Sequence, residues 1–267
     1  IAGSGLMYGA GFGRSMKAVF FLAEIIEKRT LEGCPIIILG KEWAREMASP
    51  FAMAQDGLII IRQEALRFFL WDQVQEVHSS CRESLRFALQ PYGVMNAEGK
   101  LDRDRFKAAL DKIVREETNL FIYHEIGEIQ QERLTSAALA KIVGHFPGSV
   151  IEFVTRAAKD ILADTHPSGL LAYITRARRR SSLGFYLTFL DGLRKVLFPD
   201  ILPAWQLFLG DGDWQHIEAA RASCRQRNSL LAEQLQTISL MIGKDDDEVI
   251  MDRFRRRILA PLGLLAS

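Results

Sequence analysis

The stretch Gly57-Leu58-Ile59-Ile60-Ile61-Arg62 runs without a break into Gln63-Glu64-Ala65-Leu66-Arg67-Phe68-Phe69, and it marks where the chain changes character. Its first part is a short, β-branched run, the pattern of a buried strand. From Gln63 on, Ala65, Leu66, Phe68, Phe69, Val74, Val77, Leu85 and Ala88 recur at helical spacing as far as Pro91-Tyr92-Gly93, so one long amphipathic helix is predicted over 63–90. Upstream, Pro35-Ile36-Ile37-Ile38-Leu39-Gly40 reads as a second buried strand. Val19, Phe20, Leu22, Ala23, Ile25 and Ile26 predict a helix over 15–29, with a helical or irregular connection over 41–53. The opening is therefore expected to be a loop, helix, strand unit. Downstream the strand signal stops. Asp102 is placed to cap a helix running to about Arg133, and helical patterns follow near 135–145, 149–164, 167–180, 182–197, 203–209, 213–241 and 246–260. Phe146-Pro147-Gly148, His166-Pro167, Phe198-Pro199 and Leu209-Gly210-Asp211-Gly212 punctuate them. The expected architecture is mainly α: a small N-terminal α/β portion over 1–62, then a multi-helix bundle over 63–267.

Composition narrows the possible partners. The 267 residues are 48% hydrophobic and 25% charged, which excludes a disordered or collagen-like chain. Lys and Arg number 34 against 33 Asp and Glu, a net charge of +1, so no global field favours nucleic acid or an anionic membrane. Only Phe254, Tyr173 and Phe185 are near enough in sequence to interleave with the local basic runs Arg176–Arg180 and Arg253–Arg257, and helix C-terminal placement accounts for the first, so nucleic-acid binding is not expected. Cys34, Cys81 and Cys224 are too few and too dispersed for a zinc knuckle, and their odd number cannot form a complete disulfide framework. They are expected to be reduced packing residues. Apolar runs fall well short of the roughly 20 residues that cross a bilayer, and no signal-peptide pattern opens the chain. The first residue is Ile1 rather than Met, which leaves a start further upstream open. A bacterial-type cytoplasmic location without membrane insertion is expected.

The chemically informative segment is Glu116-Glu117-Thr118-Asn119-Leu120-Phe121-Ile122-Tyr123-His124-Glu125-Ile126-Gly127-Glu128, with Glu132 beyond it. At about 100° per residue, positions 117, 121, 124, 125, 128 and 132 fall within one sector of about 100°. Ile122, Ile126 and Ile129 form an apolar stripe opposite, so both faces are expected to be covered by protein. A sheltered carboxylate costs several kcal/mol unless it is paired, protonated or bound to a cation, roughly the penalty for burying any uncompensated ion. His124 and Glu128 stand one turn apart, which lets an imidazole nitrogen and a carboxylate oxygen share one ion. On this reading His124 and Glu128 are ligands of a divalent metal, zinc or iron, and Glu125 is the catalytic base or water-orienting group. Asp164, His166 or Asp191 completes the shell, with Glu152 and Asp160 as further candidate donors, giving metal-assisted hydrolysis or oxidation of a small molecule. Two departures stand against named motifs: HExxH needs a second His where the chain has Glu128, and ExxH needs Glu where it has Phe121. The competing reading pairs these acids with Arg115, Arg133 or the Arg176, Arg178, Arg179, Arg180 group, and makes the protein a non-catalytic helical subunit that binds another protein chain.

Gly9-Ala10-Gly11-Phe12-Gly13-Arg14 precedes the first expected helix, where Gly9, Gly11 and Gly13 with Arg14 are candidates to hold a phosphate or nucleotide. The spacing is neither G-x-G-x-x-G nor a P-loop. No G-x-S-x-G is present, and His78, His124, His145, His166 and His216 lack the neighbours of a nucleophilic triad.

On Gly11-Phe12-Gly13-Arg14, Gln63-Glu64-Ala65-Leu66 to Trp71, His124-Glu125-Ile126-Gly127-Glu128 and Phe189-Leu190-Asp191-Gly192-Leu193-Arg194 to Phe198-Pro199, the chain resembles an uncharacterised family of bacterial helical proteins over about residues 5–200. The resemblance implies a shared fold and no assigned activity. The opening is also similar to part of the nucleotide-binding α/β proteins that cleave phosphoribosyl groups, with Arg14 in the place of their loop threonine.

Overall fold

The structure, a computed structural model, describes residues 5–12, 18–46, 50–76 and 81–264. Among them, β1 (Leu6–Phe12), β2 (Ala18–Leu31), β3 (Cys34–Arg45), β4 (Ala52–Gln55) and β5 (Leu58–Arg62) form one sheet in the order β1-β2-β3-β5-β4. Neighbours are antiparallel except β3 and β5, which run parallel. Two tight turns build it. Glu32 (φ 49°) and Gly33 (φ 80°) link β2 to β3, and Asp56 (φ 51°) and Gly57 (φ 77°) link β4 to β5. Both central residues of each loop have positive φ, the geometry that matches the right-handed twist of a two-residue hairpin.

The predicted strands over 35–40 and 57–62 are present as β3 and β5, but the opening is a sheet rather than loop, helix, strand. The segment expected to be a helix over 15–29 is β2 from Ala18 onward, and β3 continues to Arg45 through the expected connection. Gly9 and Gly11 lie inside β1, and among the described residues the next element is the strand β2; Gly13 and Arg14 fall outside the described residues. Register explains Gly9. Gly9 sits directly across from Phe21, and a Cβ at Gly9 would stand 2.3 Å from the Phe21 ring. The ring covers the bare backbone, so glycine here serves cross-strand packing.

The sheet is apolar on both faces, as a fully buried strand run implies. Ile36, Ile38, Ile59 and Ile61 pack with Ile122 and Ile126 of helix α3 (Arg103–Gln130), while Phe21, Ala23, Leu39 and Ile60 make a second cluster with Met7 and Met53 on the other face. Helix α1 (Gln63–Glu76) packs on β3 and β5. The long helix expected over 63–90 is two helices, α1 and α2 (Arg82–Leu89), followed by a 3-10 turn at Gln90–Tyr92. The remaining helices are α4 (Ser136–His145), α5 (Val150–Asp164), α6 (Leu170–Arg176), α7 (Arg180–Phe189), α8 (Gly192–Leu197), α9 (Ile201–Asp211), α10 (Gln215–Met241) and α11 (Asp247–Phe254), with a π turn at Arg255–Leu259. The protein is thus mainly helical, with an N-terminal five-stranded sheet among the described residues.

Two compact units result. One comprises residues 1–129 and 179–188, the other 130–178 and 189–267. In the first, α7 returns to pack on α2 so closely that a Cβ at Gly184 would meet the Ala88 backbone nitrogen at 2.6 Å, and Thr188 Oγ1 donates to Ser84 Oγ at 3.0 Å. In the second, α10 packs against α4, α5, α6 and α9. There Asn228 Nδ2 donates to Leu197 O at 3.0 Å, and the buried Cys224 thiol is pushed up to about 12 by desolvation, which leaves it unreactive. None of the three cysteines forms a disulfide, and all are buried.

Replacing Gly9 by Ala is expected to lower stability by about 1–3 kcal/mol, the usual cost of overpacking, measured by urea unfolding. In a Phe21→Ala background the same change should cost little; an equal cost there would show that the ring is not the constraint.

Candidate metal centre on helix α3

Helix α3 begins where the sequence places its cap: Asp102 Oδ1 accepts the backbone N–H groups of Asp104 and Arg105, each at 3.1 Å. Its orientation is set by Ile122 and Ile126, fully buried on the sheet, and by Phe121, whose ring lies 4.9 Å from Phe51 and 6.1 Å from Phe69. Arg29 Nη2 donates to Asn119 Oδ1 at 2.6 Å and ties β2 to the same helix. With these positions fixed, the acidic stripe divides into two ends of different chemistry.

At the N-terminal end Glu117 is only 1% exposed and fully engaged. Its Oε1 accepts from Tyr92 OH at 2.7 Å and from Arg179 Nη2 at 3.3 Å, and its Oε2 accepts from Ser182 Oγ at 2.6 Å. Arg179 also donates to Glu116 O at 3.0 Å. Burial raises the Glu117 carboxyl above its ordinary 4.5 against the opposing pull of Ser182, Tyr92 and Arg179. Burial and the nearby carboxylate push the Tyr92 phenol up as well, so it stays a neutral donor. Of the arginines proposed to dock on the acids, Arg179 does so. Arg180 instead stacks over Phe87, its guanidinium carbon 4.7 Å from the ring centre. Glu117 therefore has its neutralising partners in the protein itself.

At the other end His124 and Glu128 are half-buried, with ligand atoms within 4.8 Å of one another. Metal–ligand bonds of about 2.0–2.2 Å put two donors on a common ion some 3–4 Å apart, so a small side-chain rotation brings this pair onto one cation. Glu125 is buried beside them along the helix. Glu132 does not share the face: α3 ends at Gln130, and Glu132 lies beyond it in the second unit, exposed. Ile129, expected on the covered apolar stripe, is 37% exposed.

The other expected ligands belong to the second unit. Asp164 is buried at the C-terminal end of α5. His166 accepts the Ser168 N–H at Nδ1 (3.2 Å), and its pKa is lowered by burial and by the charges of Arg225 and Arg221, a setting that disfavours a cation. Asp191 is at the N-cap position of α8 with an exposed side chain paired to Arg194 at 3.2 Å. Glu152 caps its own helix start, accepting the Gly148 N–H at 2.7 Å and pairing with Arg156 at 2.7 Å. Asp160 is half-buried on α5. Gly9 and Gly11 line an open groove of about 540 Å³ with Phe20, Phe21, Met53 and Gln55.

Sequence reasoning missed a second buried charge pair. Arg62, 1% exposed at the end of β5, donates from Nε to Glu42 Oε1 at 2.6 Å and from Nη1 to Pro50 O at 2.8 Å, with its guanidinium carbon 4.8 Å from the Phe21 ring centre. Glu42 is held in turn by Arg45 at 3.1 Å, and its backbone N–H donates to Glu64 Oε2 at 2.7 Å. Arg62 ended the strand-like run and its charge was the available signal; the partner 20 residues away was not. The pair clamps β3, β5 and the segment at Pro50.

An N-terminal sheet continuing into helices, with a His–Glu pair on a long helix packed against that sheet, defines a mainly α protein of two units. Residues 1–62 match the N-terminal domain and residues 67–257 the C-terminal domain of a family of unknown function (DUF6866), and the chain belongs to that family. No curated protein and no solved structure matches it.

Because the folded Glu117 carboxyl has a raised pKa, the folded state holds that proton more tightly than the unfolded state. Its stabilising contribution is full below about pH 4.5 and is lost as pH rises through the folded value. Wild type should accordingly lose stability relative to Glu117→Gln as pH is raised from 4.5 toward neutrality, read from urea midpoints; the opposite slope would contradict the assignment. Ser182→Ala, which strips one donor from the buried carboxylate, should cost about 1–3 kcal/mol.

Proposed function

We propose that the protein binds a divalent transition metal, zinc or iron, through His124 and Glu128. The observation that supports this is the proximity of an imidazole nitrogen and a carboxylate oxygen one helical turn apart, half-buried on a helix whose face is held by the sheet. Imidazole together with carboxylate suits zinc and iron better than calcium or magnesium, which prefer oxygen alone. Two protein donors leave positions for water and substrate, the condition for a catalytic rather than a structural ion. A bound ion would supply Lewis-acid activation of water or of a carbonyl or phosphoryl oxygen. Glu125, next to His124 and buried, is the residue assigned to orient or deprotonate that water in hydrolysis or oxidation. Glu117 takes no part, because both of its oxygens already accept protein donors.

Equilibrium dialysis of the full chain against Zn(II), and against Fe(II) under anaerobic conditions, followed by elemental analysis, is expected to give one ion per chain. His124→Ala and Glu128→Ala should each weaken retention at least tenfold, while Glu117→Gln should leave it unchanged. Absence of retention at micromolar metal, or equal retention by both alanine variants, would remove the proposal.

A further inference from the structure

Arg221 and Arg225 stand one turn apart on α10, and both reach the C-terminal end of α5. Arg221 Nη1 donates to Thr165 O at 2.5 Å and Arg225 Nη1 to Leu162 O at 3.2 Å. His166 follows on the same corner. Its Nδ1 accepts the Ser168 N–H, so the proton of the neutral ring sits on Nε2 and makes that nitrogen a donor. Arg133 lies near enough for its charge to bear on Arg225.

Two acids at this corner, Glu218 and Glu233, already have basic partners. Glu218 accepts from Arg221 at 2.9 and 2.5 Å and from Thr175 at 3.4 Å, and it also feels the charge of Arg176. Glu233 is 3.9 Å from Arg133, and Glu132 acts on His166. None of these pairs with Arg225, whose recorded hydrogen bond is to a backbone carbonyl. Desolvation and the charges of Arg221 and Arg133 lower the pKa of this half-buried guanidinium, and no carboxylate raises it. A guanidinium carries five N–H donors; Arg221 spends three of them, two on Glu218 and one on Thr165 O, whereas Arg225 gives one to Leu162 O. The two carbonyl bonds offset the negative end of the α5 dipole, and the remaining donors are left for another acceptor.

We propose that Arg225, Arg221, Arg133 and His166 form an oxyanion site in the second unit that takes a phosphate group. The Arg225 fork matches the paired oxygens of a phosphate, Arg221 one turn away adds charge and its remaining N–H groups, and a neutral imidazole N–H adds a donor without adding charge. The site is independent of the metal reading and lies far in sequence from the glycine-rich opening.

The test is calorimetric titration of the full chain with inorganic phosphate, glycerol 3-phosphate and acetate at fixed ionic strength. One phosphate per chain is expected, at least tenfold tighter than acetate. Tighter binding of inorganic phosphate assigns the free ion, tighter binding of the ester assigns a phosphomonoester, and both uphold the site. Arg225→Gln should weaken phosphate at least tenfold. Because Arg225 also holds an α5 carbonyl, the exposed Arg133→Ala is the second variant; it should keep the wild-type melting temperature and lose affinity three- to tenfold. Acetate binding as tightly as phosphate, no phosphate binding at millimolar concentration, or binding unchanged in both variants would overturn the proposal.

Discussion

The packing of Ile122 and Ile126 into the isoleucine face of β3 and β5 governs the rest of the first unit. Ile36, Ile38, Ile59 and Ile61 present a flat, β-branched surface, and two isoleucines one turn apart on α3 occupy it. At about 100° per residue this choice sets where every other α3 side chain points. Position 124 lies about 200° around from 122, and 128 about 240° around, so His124 and Glu128 turn away from the sheet as a direct consequence of what faces it. Phe121, held among the rings of Phe51 and Phe69, prevents rotation about the helix axis.

Glu117 lies on the same side of α3 as His124 and Glu128, and both its burial and its compensation follow from chain path rather than local sequence. The 3-10 turn at Gln90–Tyr92 brings a phenol, and the return of 179–188 into the first unit brings a guanidinium and a hydroxyl. Three donors offset part of the desolvation of this buried carboxyl, and such an arrangement rigidifies the elements that supply the donors. The same logic applies at Arg62, where a guanidinium inside the sheet is matched by Glu42, the Pro50 carbonyl and an aromatic face. At Glu117 and at Arg62 burial of charge is accompanied by specific partners, and these come from elements distant in sequence.

That distance explains which features could be read from the chain alone. The helical remainder, the Asp102 cap and strands β3 and β5 were legible because caps, breakers and apolar runs are local signals. β2 was read as a helix because its pairing with β3 shifts register between Leu22 and Ala23, Ala23 and Ile25, and Ile25 and Glu27. Each shift interrupts the period-2 alternation, so apolar residues fall at spacings that imitate 3.6. The corrective signals were present: β-branched and aromatic enrichment in Val19 to Ile26, and Asp56-Gly57, a dipeptide suited to a positive-φ hairpin turn. Glycine permits several geometries, so the β1 glycines suit a phosphate loop as well as a strand from sequence, and at Gly9 it is the register to Phe21 that selects the strand. Of the stripe, the His124–Glu128 pair follows from helix periodicity, whereas the Arg179–Glu117 bond spans 62 residues and has no local signature.

The near-neutral total charge conceals how the charges are sorted. With 34 basic against 33 acidic residues, long-range fields are weak, and at physiological ionic strength they are screened within about 8 Å. What remains is short-range imbalance, and its sign differs between the units: carboxylates with one histidine along α3, and guanidiniums with one histidine where α10 meets the end of α5. Histidine is therefore ambiguous from sequence, since its partners decide its role. On the readings proposed above, the His124 imidazole, with a carboxylate one turn away, would offer a lone pair to a cation, and His166, with Nδ1 already accepting a backbone N–H, would offer a proton to an anion. His124 and His166 looked interchangeable as ligands in the chain, and their opposite surroundings separate them.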